Sequence, residues 1–486
     1  MINYQKHTLP NGLTVVVNRD RSSRLAAVNL LYKVGARNEN PSRTGFAHLF
    51  EHLMFRGTKA VPDFDTPVQM ACGENNAFTN NDYTDFYITL PKDNIETALW
   101  LESDRMTGLD ISQENLETEK RVVIEEYKQR YLNQPYGDQT MLLRALAYKV
   151  HPYRWAAIGL ATDHIAGATL ADVESFYRTH YRPSNAILSI SADMEEGMLE
   201  LAEKWFAPLA DHPSATAAIP QEPMQTQARR QEVERDVPAS TVTVAYHMCA
   251  RTKPDFYTAD LVSDLLSGGD SGRLYTHLVK ERNLLSSVNA YITGDVDPGL
   301  FVFTGQLLPG VTPEAAEAAF REEIEALQTT VATAYEIEKV KNKFEANTLF
   351  GELNVMNKAM NLGFYEMLGD LSLINREVDR YRADERCTFI FTLNAYYSMF
   401  SGILRLYDPA LLARVPKDLP LLFLAGDADP VGEQGAGVKR AVKSLLDAGV
   451  KNIEVKLYPS ARHELLVELN REEVFADIGD WLERRL

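Results

Sequence analysis

Residues 46–55 read Phe46-Ala47-His48-Leu49-Phe50-Glu51-His52-Leu53-Met54-Phe55, an apolar segment carrying two histidines and one carboxylate. The pattern predicts a helix. His48 and His52 are four residues apart, so both rings leave one helical face a turn apart, and Glu51, three residues after His48, shares that face. Two neutral imidazoles at this spacing can take two corners of a tetrahedral Zn2+ site, with the glutamate beside the corner that a water would fill. The order H-x-x-E-H is the inverse of H-E-x-x-H. A chain of 486 residues with ten histidines meets this spacing by chance in about one case in a hundred, so a further ligand is required.

A second helical pattern lies about seventy residues on, at Glu117-Thr118-Glu119-Lys120-Arg121-Val122-Val123-Ile124-Glu125-Glu126-Tyr127, with Val122 and Val123 as its apolar core. Glu119 and Glu126 are two turns apart and project from one face. Carboxylates on helices are usually only solvated, and this segment by itself leaves both readings open.

Taken together, Arg43-Thr-Gly-Phe-Ala-His48-Leu-Phe-Glu51-His52-Leu-Met-Phe-Arg-Gly57-Thr58 and the segment from Glu119 to Glu126 resemble the pitrilysin/insulinase family of zinc peptidases, the inverzincins, which include the mitochondrial processing peptidases. The resemblance extends over about residues 1–382. It implies one Zn2+ per chain held by His48, His52 and Glu126, with Glu51 as general base and Glu119 orienting a ligand histidine. It further implies that the turn and strand pair between Cys72 and Pro91 offers an edge to which an extended peptide adds, with Asn76, Ala77 and Phe78 nearest the zinc. Without the family, those residues read as an ordinary hairpin.

The bulk composition fits this class. A length of 486 residues implies two to four domains, and 45% hydrophobic with 24% charged residues is that of a soluble globular protein. A net charge of −18 argues against nucleic-acid binding, which needs clustered Lys and Arg. The amino terminus has no apolar core of a signal peptide, and no run approaches the length of a membrane span. With three well-separated cysteines, Cys72, Cys249 and Cys387, the expectation is a cytoplasmic protein with free thiols.

In chain order, strands are expected at 13–18 and 26–33, helices at 93–107 and 112–130, and a helix and strand at 172–181 and 186–191. Residues 211–230, rich in Pro, Ala, Thr and Gln, read as a linker. The second half then repeats the first. Val28 to Val34 leads to Ala36-Arg37, a polar loop and the metal-motif helix; Thr241 to Met248 leads to Ala250-Arg251, a polar loop and an apolar helix. The offset is 214 residues, and it carries the metal motif onto Val262-Ser-Asp-Leu-Leu266, without histidine. The second half therefore reads as a non-metal partner across a cleft. In single-chain family members that half carries an Arg and a Tyr that contact substrate and oxyanion; here Val279 and Ser286 stand at those places. This implies a homologous subunit that supplies the missing pair to a zinc-bearing chain.

The last hundred residues differ. Pro420 to Asp429 reads as a buried strand ending in an acidic turn, Lys439 to Ala448 as a helix, Ile453 to Tyr458 as a strand and Arg471 to Arg485 as a helix, an alternation that argues for parallel pairing. From about Cys387 this tail resembles the last part of an α/β-hydrolase of the lysophospholipase or monoacylglycerol-lipase type. The resemblance implies Asp429 and His463 as a vestigial acid and base. The chain has no G-x-S-x-G; Gly269-Asp-Ser271-Gly-Arg273 fails at its last position. Without a nucleophile the pair has nothing to activate. The tail also stands where the last strand and helix of the second peptidase half belong.

The expected fold is thus α+β: two homologous peptidase halves enclosing a cleft (1–210 zinc-binding, 231–383 inactive and truncated), joined by the 211–230 linker and followed by a partial α/β-hydrolase segment (384–486). The expected activity is zinc-dependent endopeptidase cleavage of peptides or small unfolded proteins. Two alternatives stand beside it: a non-catalytic structural subunit, favoured by the missing Arg and Tyr, and a serine esterase using Asp429 and His463.

Overall fold

The computed structural model describes residues 2–212, 217–330, 332–376, 412–429, 434–461 and 470–485. The chain divides into two units, Met1–Thr388 and Phe389–Leu486.

The first unit begins with six strands, β1 (Tyr4–Thr8), β2 (Thr14–Arg19), β3 (Leu25–Tyr32), β4 (Glu74–Thr79), β5 (Thr84–Pro91) and β6 (Ala186–Ala192). They form one sheet in the order β1-β2-β6-β3-β5-β4, with only β2 and β6 parallel. The central strands β3 and β6 are buried nearly throughout, including the polar side chains of Asn29, Ser189 and Ser191. Between the strands lie α1 (Phe46–Leu53), α2 (Asp65–Met70), α3 (Ile95–Gly108), α4 (Gln113–Tyr127), α5 (Gln139–Ala147), α6 (Thr162–Ala166) and α7 (Leu170–His180), with α8 (Met198–Phe206) after β6. Leu30, Tyr32, Phe50, Phe86, Leu99, Val123 and Phe206 join strands and helices in one core.

Residues 217–240 contain no helix or strand. The second half follows with β7 (Thr241–His247), α9 (Pro254–Ser267), β8 (Leu285–Ile292), β9 (Leu300–Leu307), α10 (Pro313–Thr329), α11 (Ala334–Gly351) and α12 (Val355–Met367). Its sheet has the order β7-β9-β8. Where β3 is flanked by β5 and β6, β7 has β9 alone among the described residues. Leu266, Leu278, Phe303 and Phe320 are central to the second core.

Two features tie the halves together. Helix α12 covers the far face of the first sheet: Leu362 and Tyr365 pack with Val16, Leu31 and Ile187, and Ser189 donates to the Ala359 carbonyl at 2.7 Å. The second tie is a meeting of equivalent turns. Asn81 donates to Asp295 Oδ1 at 2.5 Å and the Val296 amide donates to Asp82 Oδ2 at 2.9 Å, each pair separated by 214 residues. The offset visible in the sequence therefore recurs in space. Asp82 also accepts from Tyr153 Oη at 2.5 Å and pairs with Arg37 at 3.0 Å, while Arg37 reaches Asp297 at 3.1 Å. Buried polar groups thus end on partners from both halves.

The second unit holds β10 (Leu421–Gly426), α13 (Ala436–Asp447), β11 (Ile453–Tyr458) and α14 (Arg471–Glu483). β10 and β11 pair in parallel, Leu421 opposite Ile453, and Tyr458, Ala461 and Val474 form its core. Asp429 is buried just beyond β10; His463 and Cys387 lie outside the described residues. Among the described residues no helix is long and apolar enough to cross a membrane.

Candidate metal centre

Helix α1 owes its start to Gly45. Its φ of 89° is left-handed, and a Cβ there would lie 2.6 Å from the Ile158 carbonyl oxygen, so glycine is required. From that start Phe46, Leu49, Phe50 and Leu53 turn into the core, with Phe50 stacked on Phe176, Tyr177 and Tyr181. The helix is thereby pinned by its apolar side. Helix α4 packs beside it, capped by Ser112, whose hydroxyl accepts from the Asn115 amide at 3.2 Å. Leu116 and Val123 anchor α4, whereas Val122, expected in the core, is 42% exposed. Adjacent helical residues point about 100° apart, so only one of the two valines can face inward.

This packing converges His48, His52 and Glu126: one ligand atom from each lies within 4.8 Å of the others. Oε2 of Glu126 is 3.3 Å from Nε2 of His52 and 3.6 Å from Nε2 of His48. Nδ1 of His52 lies 3.2 Å from Glu119 Oε2, the carboxylate that the resemblance assigned to orient a histidine. Glu51 is beside the cluster, with Oε2 buried and unpartnered among the described residues. Two imidazoles and one carboxylate, with a second carboxylate alongside that has one oxygen unpartnered and a hydrogen bond with Thr79, make a donor set suited to a catalytic Zn2+ with an open position.

Two arginines complete the surroundings and were not read from the sequence. Arg56 pairs with Glu119, and Arg130 lies 3.1 Å from Glu126 Oε1, leaving Oε2 to face the histidines. The spacing of Arg130, four residues after Glu126, was a usable signal. A π-helical turn, Lys128–Leu132, carries it, where the sequence had implied continuous α-helix to residue 130.

The electrostatics follow from burial and these partners. Burial pushes His48 down to about 4. Burial also opposes charge on His52, but hydrogen bonds to Glu119 and Glu126 outweigh it and lift that ring to about 9. Glu126 is held below the usual carboxylate range, first by its hydrogen bond with His52. Burial raises Glu51. A proton that His52 would hold between the two carboxylates without a cation is the charge that a bound cation would replace.

Strand β4 is the last of its sheet, and α1 packs against it. Asn76, Ala77 and Phe78 pair there with Tyr87, Phe86 and Asp85 of β5. The Ala77 amide donates to Asn76 Oδ1 at 2.8 Å. In the second half, Val279 lies partly buried in a π-helical turn, Tyr275–Glu281, packed against the core. Ser286 sits exposed at a bulge in β8 and donates to Gln306 Oε1 at 3.2 Å.

Known proteins match these features. The family profile described as Insulinase (Peptidase family M16) matches residues 14–154, and that of the Peptidase M16 inactive domain matches 167–344. The profile of Serine aminopeptidase, S33 matches 332–470, beginning ahead of the boundary at Thr388 and taking in all of α11 and α12. Zinc protease PqqE of Helicobacter pylori is 31% identical over 410 residues, covering 80% of this chain and 92% of that protein. A probable mitochondrial-processing peptidase subunit beta of Schizosaccharomyces pombe is 25% identical over 392 residues, covering 76% and 84%. A protease crystal structure from Helicobacter pylori superposes with a TM-score of 0.75 at 29% identity, over 79% of this chain and 94% of that one. The chain belongs to the insulinase family of M16 peptidases.

Proposed function

We propose that this chain is a zinc-dependent metalloendopeptidase acting on peptides or small unfolded proteins. The observation that carries the reading is the convergence of His48, His52 and Glu126 with a buried, unpartnered Glu51 oxygen beside them. Lewis acidity toward a water and the scissile carbonyl is what a bound Zn2+ would supply. Glu51 takes the proton from the attacking water and passes it to the leaving amine, a role its burial-raised pKa favours. Glu119 holds Nδ1 of His52 and so fixes the ring with Nε2 toward the metal. The outer edge of β4 receives the substrate main chain as an added strand, with Asn76, Ala77 and Phe78 alongside. Glu51→Gln is expected to retain zinc and lose turnover of a quenched peptide by about 100- to 10,000-fold; wild-type turnover in that variant would sink the assignment.

The reading extends to a two-chain enzyme of which this chain is the zinc-bearing subunit. An aliphatic Val279 has no donor to stand in for an Arg, and the Ser286 hydroxyl, a donor on a one-carbon stem, lacks the reach of a Tyr. Relatives from Arabidopsis thaliana and Schizosaccharomyces pombe are themselves named as subunits. The purified chain alone should turn over slowly and gain rate with a homologous partner chain; full turnover alone, unchanged by any partner, would contradict this. Cys72 and Cys249 are free thiols, which supports a cytoplasmic placement.

A further inference from the structure

Helix α1 has two turns only, and its residue before the first turn, Gly45, has no side chain to cap it. A helix this short is not stable by itself, and its first four amides lack helical acceptors. The usual remedy, Ser, Thr, Asp or Asn at that place, is closed off because the left-handed backbone and the nearby Ile158 carbonyl admit only glycine. The acceptors come instead from Glu39, six residues upstream. Its Oε2 accepts from the Gly45 amide and its Oε1 from the Ala47 amide, each at 2.8 Å. Glu39 is 6% exposed and has no ion pair among the described residues, and burial pushes its carboxyl up to about 8, so it acts on the helix that carries His48, Glu51 and His52 by accepting these two hydrogen bonds.

We propose that Glu39 is a positioning residue of the metal helix: its carboxylate fixes the first turn of α1 and thereby the direction in which His48 and His52 present their nitrogens. The proposal rests on the metal reading given above. Ala47 immediately precedes His48, so loosening the Ala47 amide turns the first ligand before it disturbs the second. Glu39→Gln keeps the shape but sets an amide N–H2 against one of the two backbone N–H groups, and one hydrogen bond is lost.

The test is an equilibrium competition for Zn2+ between the folded chain and a chelating dye, with the absorption spectrum of the Co2+-substituted protein as a report on ligand geometry. Glu39→Gln is expected to bind Zn2+ about 10- to 100-fold more weakly, as for loss of other groups that orient metal ligands, and to shift the Co2+ spectrum. Thr312→Ala serves as the comparison, because Thr312 caps α10 in the other half, accepting from the Ala315 amide at 3.3 Å. It should lose stability with Zn2+ affinity within twofold of the parent. If Glu39→Gln does not fold, Glu39→Asp, which keeps the carboxyl group and shortens the reach, is measured in the same way. Parent-like affinity and an unshifted Co2+ spectrum in the variant that folds would overturn the positioning role while leaving the metal reading intact. A folded parent that takes up no Zn2+ would overturn both.

Discussion

The two halves of the peptidase unit build the same helix pair for opposite purposes. In the first, α1 and α4 bring His48, His52 and Glu126 together with Glu51 beside them. At an offset of 214 residues their counterparts are Val262, Leu266, Val340 and Leu265. Leu265 and Val340 are buried in one cluster with Leu261 and Tyr257, and Leu266 belongs to the second core. Where one half places unsatisfied polar atoms that a cation can use, the other places apolar surface removed from water. The fold needs that helix contact; the chemistry is an occupant of it. The polar cluster costs the first half apolar packing at this point, and α12 and the joined turns supply contacts elsewhere.

The comparison can be broken most completely by making the first half resemble the second. Glu126→Val removes the carboxylate of the cluster and should bring Zn2+ uptake and peptidase turnover to background while the chain stays folded, checked by metal analysis and thermal unfolding. Retained zinc at one per chain would show that the equivalence misplaces the third ligand.

Next in size is the joint between the halves. Asp82→Ala deprives Arg37, Tyr153 and the Val296 amide of a shared buried acceptor and should destabilise the unit by about 3 kcal/mol in denaturant titrations. A loss below about 1 kcal/mol would mean that the turns merely touch.

Leu265→Ala probes the apolar counterpart. It should cost about 2–3 kcal/mol by leaving a cavity, with Zn2+ affinity unchanged. A drop in affinity would couple the two helix pairs more tightly than the structure implies.

The mildest contrast is in pH. His52 in the metal-free chain is raised from 6.5 to about 9, so its contribution is fully present below 6.5 and is lost as pH rises through 9. Glu336 in the second half is lowered from 4.5 to about 2, first by its hydrogen bonds with Arg273, so its contribution is present above 4.5 and is lost as pH falls toward 2. Metal-free protein should therefore lose thermal stability between pH 6.5 and 9, and Zn2+ should remove most of that slope by displacing the proton. A slope identical with and without Zn2+ would place the proton elsewhere.

How much of this could be read beforehand follows from the range of each interaction. His48, Glu51 and His52 lie on one helix, where spacing alone sets direction, so they were legible. The offset of 214 exposed the second half because a strand, a loop and a helix recur in order. Val122 was misplaced because adjacent valines carry no phase of their own. Glu39 escaped notice because its partners are backbone amides, which leave no mark on the residue types at 45 and 47. The cover of the first sheet by α12 escaped for a related reason: more than 160 residues separate Ala359 from Ser189, and an amphipathic helix does not name its sheet. His463 lies outside the described residues, so its relation to Asp429 stays a sequence-based expectation.

The central claim is that His48, His52 and Glu126 hold one catalytic Zn2+. Its most direct test is elemental analysis of the purified, folded chain beside a quenched-peptide assay with and without a chelator. The account predicts one zinc per chain and a slow cleavage that the chelator abolishes and added Zn2+ restores. A folded chain without zinc, or cleavage indifferent to the chelator, would contradict it.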